Sequence, residues 1–237
     1  MKKYLGVIVL ALWCCGSVQA ELLSRAGGQA YYDTVLDITW LANANLAATN
    51  TFGVTGLNVY GLMTWAQANE GIAAMNSANY LGVNDWRLPT VIDTGTPGCD
   101  WAVTGTDCGY NVDLSTGEMA HLYYSTLGNV GLFNTSGNPT GCPGGPNYCL
   151  TSTGPFSNLQ PYGYWSGTVY APAPGSNAWY FVFGYGNQYN DLQDIPFHAW
   201  AVRPGDIVPV PAAVWLFGSA MGVFGMVRRR VLAGAGA

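Results

Sequence analysis

The sequence is poor in charge, and above all in positive charge. Charged residues make up 9% of the 237 residues, against about 25% in typical soluble domains. No lysine occurs between Glu21 and Asp206, where three arginines face thirteen acidic residues, a net charge of about −10. A nucleic-acid partner requires clustered Lys and Arg to neutralise phosphates. The sequence therefore excludes nucleic-acid binding as a function class.

The remaining basic residues stand at the two ends of the chain. The first twenty residues, MKKYLGVIVLALWCCGSVQA, combine two lysines, a short apolar run and small residues before Ala20. This order is typical of a secretory signal peptide, and Val18-Gln19-Ala20 fits the pattern at which signal peptidase cleaves. Cys14 and Cys15 raise a lipoprotein alternative, but the residues directly before them are Trp13 and Cys14 and not a small residue. We expect residues 1–20 to be a signal peptide that is cleaved after Ala20.

At the other end, the sixteen-residue apolar run Ala212–Val227 is followed directly by three arginines. As a helix this run would be roughly 24 Å long, slightly short of a typical hydrocarbon core of about 30 Å. A helix buried in the domain is the alternative. A transmembrane helix with its arginines in the cytoplasm agrees better with the distribution of charge, and it leaves the domain outside.

The same segment resembles bacterial sorting signals of the PEP-CTERM type and their Val-Pro-x-Pro-Ala variants. Its matching parts are a proline motif, the apolar run and an arginine cluster, formed by Pro209, Pro211, Ala212, Arg228, Arg229 and Arg230. Val210 departs from the glutamate of the name-giving motif. The resemblance implies that residues 208–237 are a sorting signal. An exosortase would cut it, and the protein would pass from an inner-membrane anchor to the cell surface or matrix.

Local patterns between the two ends predict an α+β domain over residues 21–207. Ala30–Ala42 alternates like a pair of strands with a turn, and helical spacing after Thr64 predicts a helix with Thr64 as its cap. A second, shorter helix is expected before Gly128 or Asn129, and strand-like runs follow Tyr162. We expect two short helices that precede a mainly antiparallel sheet.

Four cysteines lie in the predicted exported region: Cys99, Cys108, Cys142 and Cys149. An even count in a secreted chain favours disulfides, and three pairings are possible. Short loops favour Cys99–Cys108 and Cys142–Cys149. A metal site is the alternative, but Cys-x2-Cys spacing and nearby histidines are lacking.

Five strings in this region resemble, in order, the Lcl C-terminal domain family, which is named for a collagen-like adhesin. They are MTWAQA, NDWRLPT, GEMAHLYY, YWSGT and AWAVRPGD. The resemblance implies a C-type-lectin-like fold with long, disulfide-pinned loops. It also implies binding of sulfated glycosaminoglycans, which we do not expect here because an acidic domain repels a polyanion.

The segment Gly184–Asp194 is the most site-like loop in the sequence. It offers rings that could stack on a sugar and oxygens that could bind calcium, from Tyr185, Asn187, Tyr189, Asn190, Asp191 and Asp194. The alternative is an exposed hairpin loop whose Asn and Asp residues serve turns. No metal or cofactor other than calcium is indicated.

Two arginines and two histidines are further candidates. Arg87 and Arg203 could clamp a ligand, or could pair with carboxylates such as Asp85 and Asp206. His121 and His198 lack the motifs of hydrolases, metalloproteases or nucleotide-binding enzymes. We therefore expect a non-enzymatic exported domain for adhesion or matrix association, which binds a glycan or a protein. The alternatives are a cell-envelope enzyme with one of these histidines as its base, and a purely structural matrix protein.

Overall fold

The computed structural model describes residues 21–95, 99, 106–142 and 144–207. The predicted signal peptide and the predicted sorting signal lie outside these residues. None of the helices in the described part of the chain combines the length and the apolar character that a membrane crossing requires.

Eight strands and two helices form the α+β domain. In chain order they are β1 Leu22–Arg25, β2 Ala30–Asp33, β3 Ile38–Leu41, α1 Trp65–Ser77, β4 Gly109–Tyr110, α2 Glu118–His121, β5 Gly163–Val169, β6 Asn177–Val182, β7 Asn187–Leu192 and β8 Val202–Pro204. A five-residue π-helical turn, Leu122–Thr126, continues α2, and short 3₁₀ turns occur at Ala26–Gly28, Leu46–Ala48 and Tyr80–Gly82.

The strands form two antiparallel four-stranded sheets, in the orders β1-β2-β3-β8 and β4-β7-β6-β5. The expectation that the helices precede the sheet is wrong, because three strands come before α1. The last strand, β8, returns to pair with β3, so that the first sheet joins both ends of the domain. The long-range pairing of β3 with β8 has no local sequence signal, which is why the order was not predicted.

The predicted strand pair within residues 30–42 is confirmed as the β2–β3 hairpin. The Asp33 carboxylate accepts hydrogen bonds from the backbone N–H groups of Val35 and Leu36, which closes the turn locally. All four residues of β3 are buried, as expected for a strand in the interior of a sheet. The hairpin is thus specified by its turn carboxylate and by a fully buried strand.

Helix α1 begins at the predicted cap. The Thr64 hydroxyl accepts a hydrogen bond from the Gln67 backbone N–H, and the Gln67 side chain accepts one from the Thr64 N–H, which completes a capping box. Ala68 and Met75 are buried, so one face of the helix packs against the rest of the domain.

An aromatic core joins the two sheets. Trp200 packs against Trp40 in a tilted arrangement and against Phe156 edge to face, both at 4.8 Å between ring centroids. Tyr123, from the π-helical turn, packs against Phe181 of β6 at 5.4 Å. The disulfides pair Cys99 with Cys108 and Cys142 with Cys149, the pairing that the short loops favoured.

Candidate ligand-binding face

The predicted loop Gly184–Asp194 is largely a strand. Strand β7 occupies Asn187–Leu192 and pairs with β6 along its whole length, with Tyr180 opposite Tyr189. Because side chains alternate between the two faces of a strand, Asn187, Tyr189 and Asp191 share one face. Asn190 points to the other face, where its Oδ1 accepts from Asn177 Nδ2 at 3.0 Å. The six proposed ligand residues are therefore not one cluster.

This separation bears on calcium. Asn190 and Asp191 lie on opposite faces of β7, and Asp194 is exposed beyond the strand. Calcium needs six to eight oxygens that converge on one point. Among residues 21–207, as far as the structure describes them, no group of three His, Cys, Asp or Glu side chains could hold a metal ion. The calcium hypothesis in its six-residue form finds no support in this geometry.

Tyrosines instead gather around the β6–β7 turn and along the face of the second sheet that carries Tyr189, where Phe197 stacks on Tyr180 at 4.4 Å. We call this set the tyrosine surface; its members are Tyr110, Tyr148, Tyr162, Tyr180, Tyr185 and Tyr189. The rings of Tyr148 and Tyr185 are 5.0 Å apart between centroids, and those of Tyr180 and Tyr189 are 6.2 Å apart. Tyr110 lies opposite Asn187 in the β4–β7 register and so shares its face. Sequence analysis named only Tyr185 and Tyr189 from this set.

The most accessible rings stand at the end of the sheet. Tyr162 is 56% exposed, Tyr148 37% and Tyr185 36%. Burial, and then the nearby Tyr148, raise the pKa of Tyr185, and burial raises the pKa of Tyr110 with a smaller contribution from Tyr185. The hydroxyls of Tyr185 and Tyr110 are therefore protonated at neutral pH and can both donate and accept a hydrogen bond. The surface offers ring faces and neutral polar tips together.

The turn that carries Tyr185 is held by the surrounding loops. The Leu132 N–H donates to the Tyr185 carbonyl at 2.9 Å, and the Cys149 N–H donates to the Gly184 carbonyl at 2.9 Å. Gly186 has a φ of +70°, and a Cβ there would lie 2.7 Å from the Tyr123 ring. Only glycine fits at this position, because both the left-handed conformation and the close approach exclude a side chain. The turn is thus anchored on both sides.

Tyr148 lies within the loop that the Cys142–Cys149 disulfide closes. Its φ of +49° lies in the left-handed region, which costs a non-glycine residue about 1–2 kcal/mol. Strained residues of this kind persist where the surrounding structure holds them, and they concentrate at binding sites. The position of the Tyr148 ring against Tyr185 therefore requires a strained backbone in this loop.

All three arginines of the domain are engaged in ion pairs. Arg203 pairs with Asp85 at 2.7 Å, Arg87 with Glu118 at 2.6 Å and Arg25 with Asp206 at 2.5 Å. Neighbouring guanidinium groups hold the pKa of Asp85 and of Asp206 below the ordinary range. Pairing of Arg203 with Asp85 follows the structural alternative stated for that residue, whereas Arg87 takes a carboxylate that sequence analysis did not name.

The two histidines occupy different environments. His198 is 3% exposed, and its Nδ1 lies 3.3 Å from Asn45 Oδ1. Burial lowers the pKa of His198 to about 4, so its imidazole is neutral at pH 7. Burial also lowers the pKa of His121. Within the described residues, neither ring is hydrogen-bonded to a Ser, Thr or Cys side chain, the contact that a nucleophile–base pair requires.

Comparison of the chain with known protein families, with curated proteins and with solved structures finds no match in any of the three. The resemblances drawn from the five internal strings and from the C-terminal segment stay predictions.

Proposed function

We propose that the domain is an exported, surface-directed and non-enzymatic module that binds a neutral glycan of the extracellular matrix through the tyrosine surface. The observation that carries this proposal is the gathering of six tyrosines at one end and along one face of the second sheet. Tyrosine offers a large, rigid and amphipathic contact area at a low cost in side-chain entropy. Sugar rings present apolar C–H faces and hydroxyl edges, which match the ring faces and hydroxyl tips of these residues.

Electrostatics favours a neutral ligand over an anionic one. The predicted exported region carries a net charge of about −10, from three arginines and thirteen acidic residues. Each of the three arginines already pairs with a carboxylate. A sulfated polymer would find a repulsive field and no unpaired guanidinium in the described part of the chain. The sulfated ligand that the adhesin resemblance implies is therefore not part of the proposal.

Export is the second part of the proposal. Both disulfides support it, because such bonds persist in oxidising compartments. The signal peptide at residues 1–20 and the sorting signal at residues 208–237 are the proposed route, with signal peptidase and an exosortase as the processing partners. A C-type-lectin-like arrangement is the fold that we propose within the α+β class. The intact mass of the mature protein tests the route, since retention of Arg228–Arg230 would contradict cleavage of the tail.

A glycan array that carries both neutral and sulfated polysaccharides tests the binding. We expect saturable binding of the purified full chain to neutral glycans. Tyr185→Ala and Tyr162→Ala should each weaken it about tenfold, or about 1.4 kcal/mol. Tyr32→Ala is the matched control, because Tyr32 lies on β2 of the other sheet. Equal losses in the control and the test variants, or a preference for sulfated glycans, would contradict the proposal.

A further inference from the structure

Tyr148 and Tyr185 form a close pair of accessible phenol rings. Their centroids are 5.0 Å apart, with an angle of 50° between the ring planes, and the two residues are 37% and 36% exposed. In the part of the chain that the structure describes, no other ring contact joins two exposed tyrosines. Tyr123 and Tyr124 are 4.9 Å apart, for example, but Tyr123 is fully buried. The pair thus combines proximity with access from solvent.

The backbone holds the two rings together. The Cys149 N–H donates to the Gly184 carbonyl at 2.9 Å, so the residues next to the two tyrosines are hydrogen-bonded. The Tyr148 ring lies directly over Gly184, where an added Cβ would be 3.3 Å from the ring Cδ2. On the other side, the Leu132 N–H donates to the Tyr185 carbonyl. Because the rings cannot move far apart, a reaction between them joins groups that are already in place.

The phenol groups of the pair also adjoin each other. Burial, and then the charge and the hydrogen bonding of the Tyr148 hydroxyl, raise the pKa of Tyr185. The Tyr185 phenol is therefore protonated at neutral pH, and its oxidation releases a proton together with an electron. In a phenol the ortho carbons are bonded to the carbon that carries the oxygen. Adjoining hydroxyls therefore bring the ortho carbons of the two rings near each other.

The cysteines near the pair are not free thiols. All four cysteines among the described residues are paired, Cys99 with Cys108 and Cys142 with Cys149. A free thiol beside a tyrosyl radical would return it to the phenol by giving up a hydrogen atom. Within the described residues, a radical on one ring of the pair therefore has a second phenol as its neighbour and no thiol.

We infer that Tyr148 and Tyr185 are a site of oxidative cross-linking, where a peroxidase and hydrogen peroxide join the two rings into dityrosine. Each phenol loses one electron and one proton and becomes a phenoxyl radical, and the two radicals form a carbon–carbon bond between their ortho carbons. The hydrogen on each of these carbons then moves to the oxygen of its ring, which restores both phenols. The two electrons and two protons that were removed reduce one hydrogen peroxide to two water molecules.

The new bond would tie the loop closed by Cys142–Cys149 to the turn between β6 and β7. Thiols do not cleave a carbon–carbon bond, so this connection would persist where the disulfides are reduced. It would join positions that are 37 residues apart, and closing a loop of that length restricts the unfolded chain. The inference does not rest on glycan binding, and its test contains no glycan.

The test is oxidation of the purified full chain, diluted so that encounters between molecules are rare, with a haem peroxidase and one equivalent of hydrogen peroxide. We expect the blue fluorescence of dityrosine in a product that stays monomeric. After reduction and digestion with pepsin, mass spectrometry should find a peptide pair that joins Tyr148 to Tyr185 and lacks two hydrogen atoms. The thermal midpoint of the oxidised chain should rise by about 5 °C.

Tyr148→Phe and Tyr185→Phe keep the rings in place and should each lower the intrachain fluorescence at least about tenfold. Tyr162→Phe is the matched control, because Tyr162 is 56% exposed and would react first if exposure alone decided; this variant should cross-link like the parent chain. The inference is overturned if Tyr162→Phe loses the fluorescence while Tyr148→Phe keeps it, or if oxidation yields cross-links between chains only. It is also overturned if no joined peptide forms while N-acetyltyrosinamide couples under the same conditions.

Discussion

Acidification from about pH 7 to about pH 4 should destabilise the domain through His198. The ring lies between the β5 strand and the Asn45 loop, 5.1 Å from the Tyr164 ring and 6.3 Å from the Tyr162 ring between centroids. Burial alone lowers its pKa to about 4, from an ordinary 6.5. No carboxylate contributes to this pKa, so the protonated ring would have no counter-charge.

The sign and size follow from proton linkage. The folded state binds the proton more weakly than the unfolded chain does, so the stabilisation is complete above pH 6.5 and is lost as the pH falls towards 4. At 1.36 kcal/mol per pH unit, the difference between the two pKa values corresponds to about 3 kcal/mol. Such a loss is a large part of the free energy of unfolding of a domain of this size. The carboxylates with lowered pKa, such as Asp85, act in a more acidic range.

The assay is urea unfolding, followed by tryptophan fluorescence with the disulfides intact, at about pH 7, 6, 5 and 4. His198→Asn is the comparison, because an Asn side chain can still donate to Asn45 Oδ1 but does not titrate. This variant should be less stable at neutral pH and should lose much less free energy of unfolding on acidification. If the parent chain and His198→Asn lose the same free energy between about pH 6.5 and pH 4, the reasoning is refuted.

Three further changes test the scaffold of the domain. Tyr148→Gly should leave the urea midpoint unchanged or raise the free energy of unfolding by up to about 1 kcal/mol, because it removes a left-handed tyrosine; on the glycan array it should still weaken binding, because the ring against Tyr185 is lost. Thr64→Ala should lower the free energy of unfolding by about 1 kcal/mol in the same urea assay, since it removes the cap of α1. Glu118→Gln should lower it by about 2 kcal/mol, because the amide can accept only one of the two hydrogen bonds from Arg87 and carries no charge.

For each of the three variants, a different result would contradict the prediction. Parallel losses of stability and binding in Tyr148→Gly would mean that the ring packs for the fold and not for a ligand. An unchanged midpoint in Thr64→Ala would mean that α1 is held by its buried face alone. For Glu118→Gln, an unchanged free energy of unfolding would show that the ion pair is fully offset by desolvation.

Elements that are specified by residues close together in the sequence could be predicted from it. The cap at Thr64, the turn carboxylate at Asp33 and the short cysteine loops each depend on residues a few positions apart. Helix α1 and the β2–β3 hairpin therefore follow from sequence patterns alone. The same holds for the disulfides, because a loop of eight or ten residues favours closure of neighbours over distant pairing.

Strand β7 was not predictable in the same way. Half of its sequence, NQYNDL, consists of Asn and Asp, which are depleted in strands and normally indicate turns. Pairing with β6 along six residues overrides that preference. The strand matters for the binding hypothesis, because alternation along it divides the four proposed ligand residues on β7 between two faces, with Asn187, Tyr189 and Asp191 on one and Asn190 on the other.

The tyrosine surface required tertiary information for a similar reason. Tyr148 and Tyr185 are 37 positions apart, and they meet because the Cys149 N–H binds the Gly184 carbonyl. Nothing in either local sequence marks that contact. The composition did indicate such a surface. The chain contains 15 tyrosines in 237 residues, and its charged residues, at 9%, are too few to cover the surface of the domain.

The scarcity of charged residues limits the kinds of ligand that the domain can bind, because many of its charged side chains already have partners within the fold. Several acidic residues of the domain are used within the fold: Asp33 and Asp113 accept backbone N–H groups in turns, and three more carboxylates neutralise the arginines. Groups committed in this way cannot easily serve an ionic ligand, because releasing them would leave a partner unpaired. The tyrosines of the second sheet carry no charge, and some of them are engaged with each other, as Tyr148 is with Tyr185. A surface of this kind favours the uncharged, hydroxyl-rich polymer that we propose as its ligand.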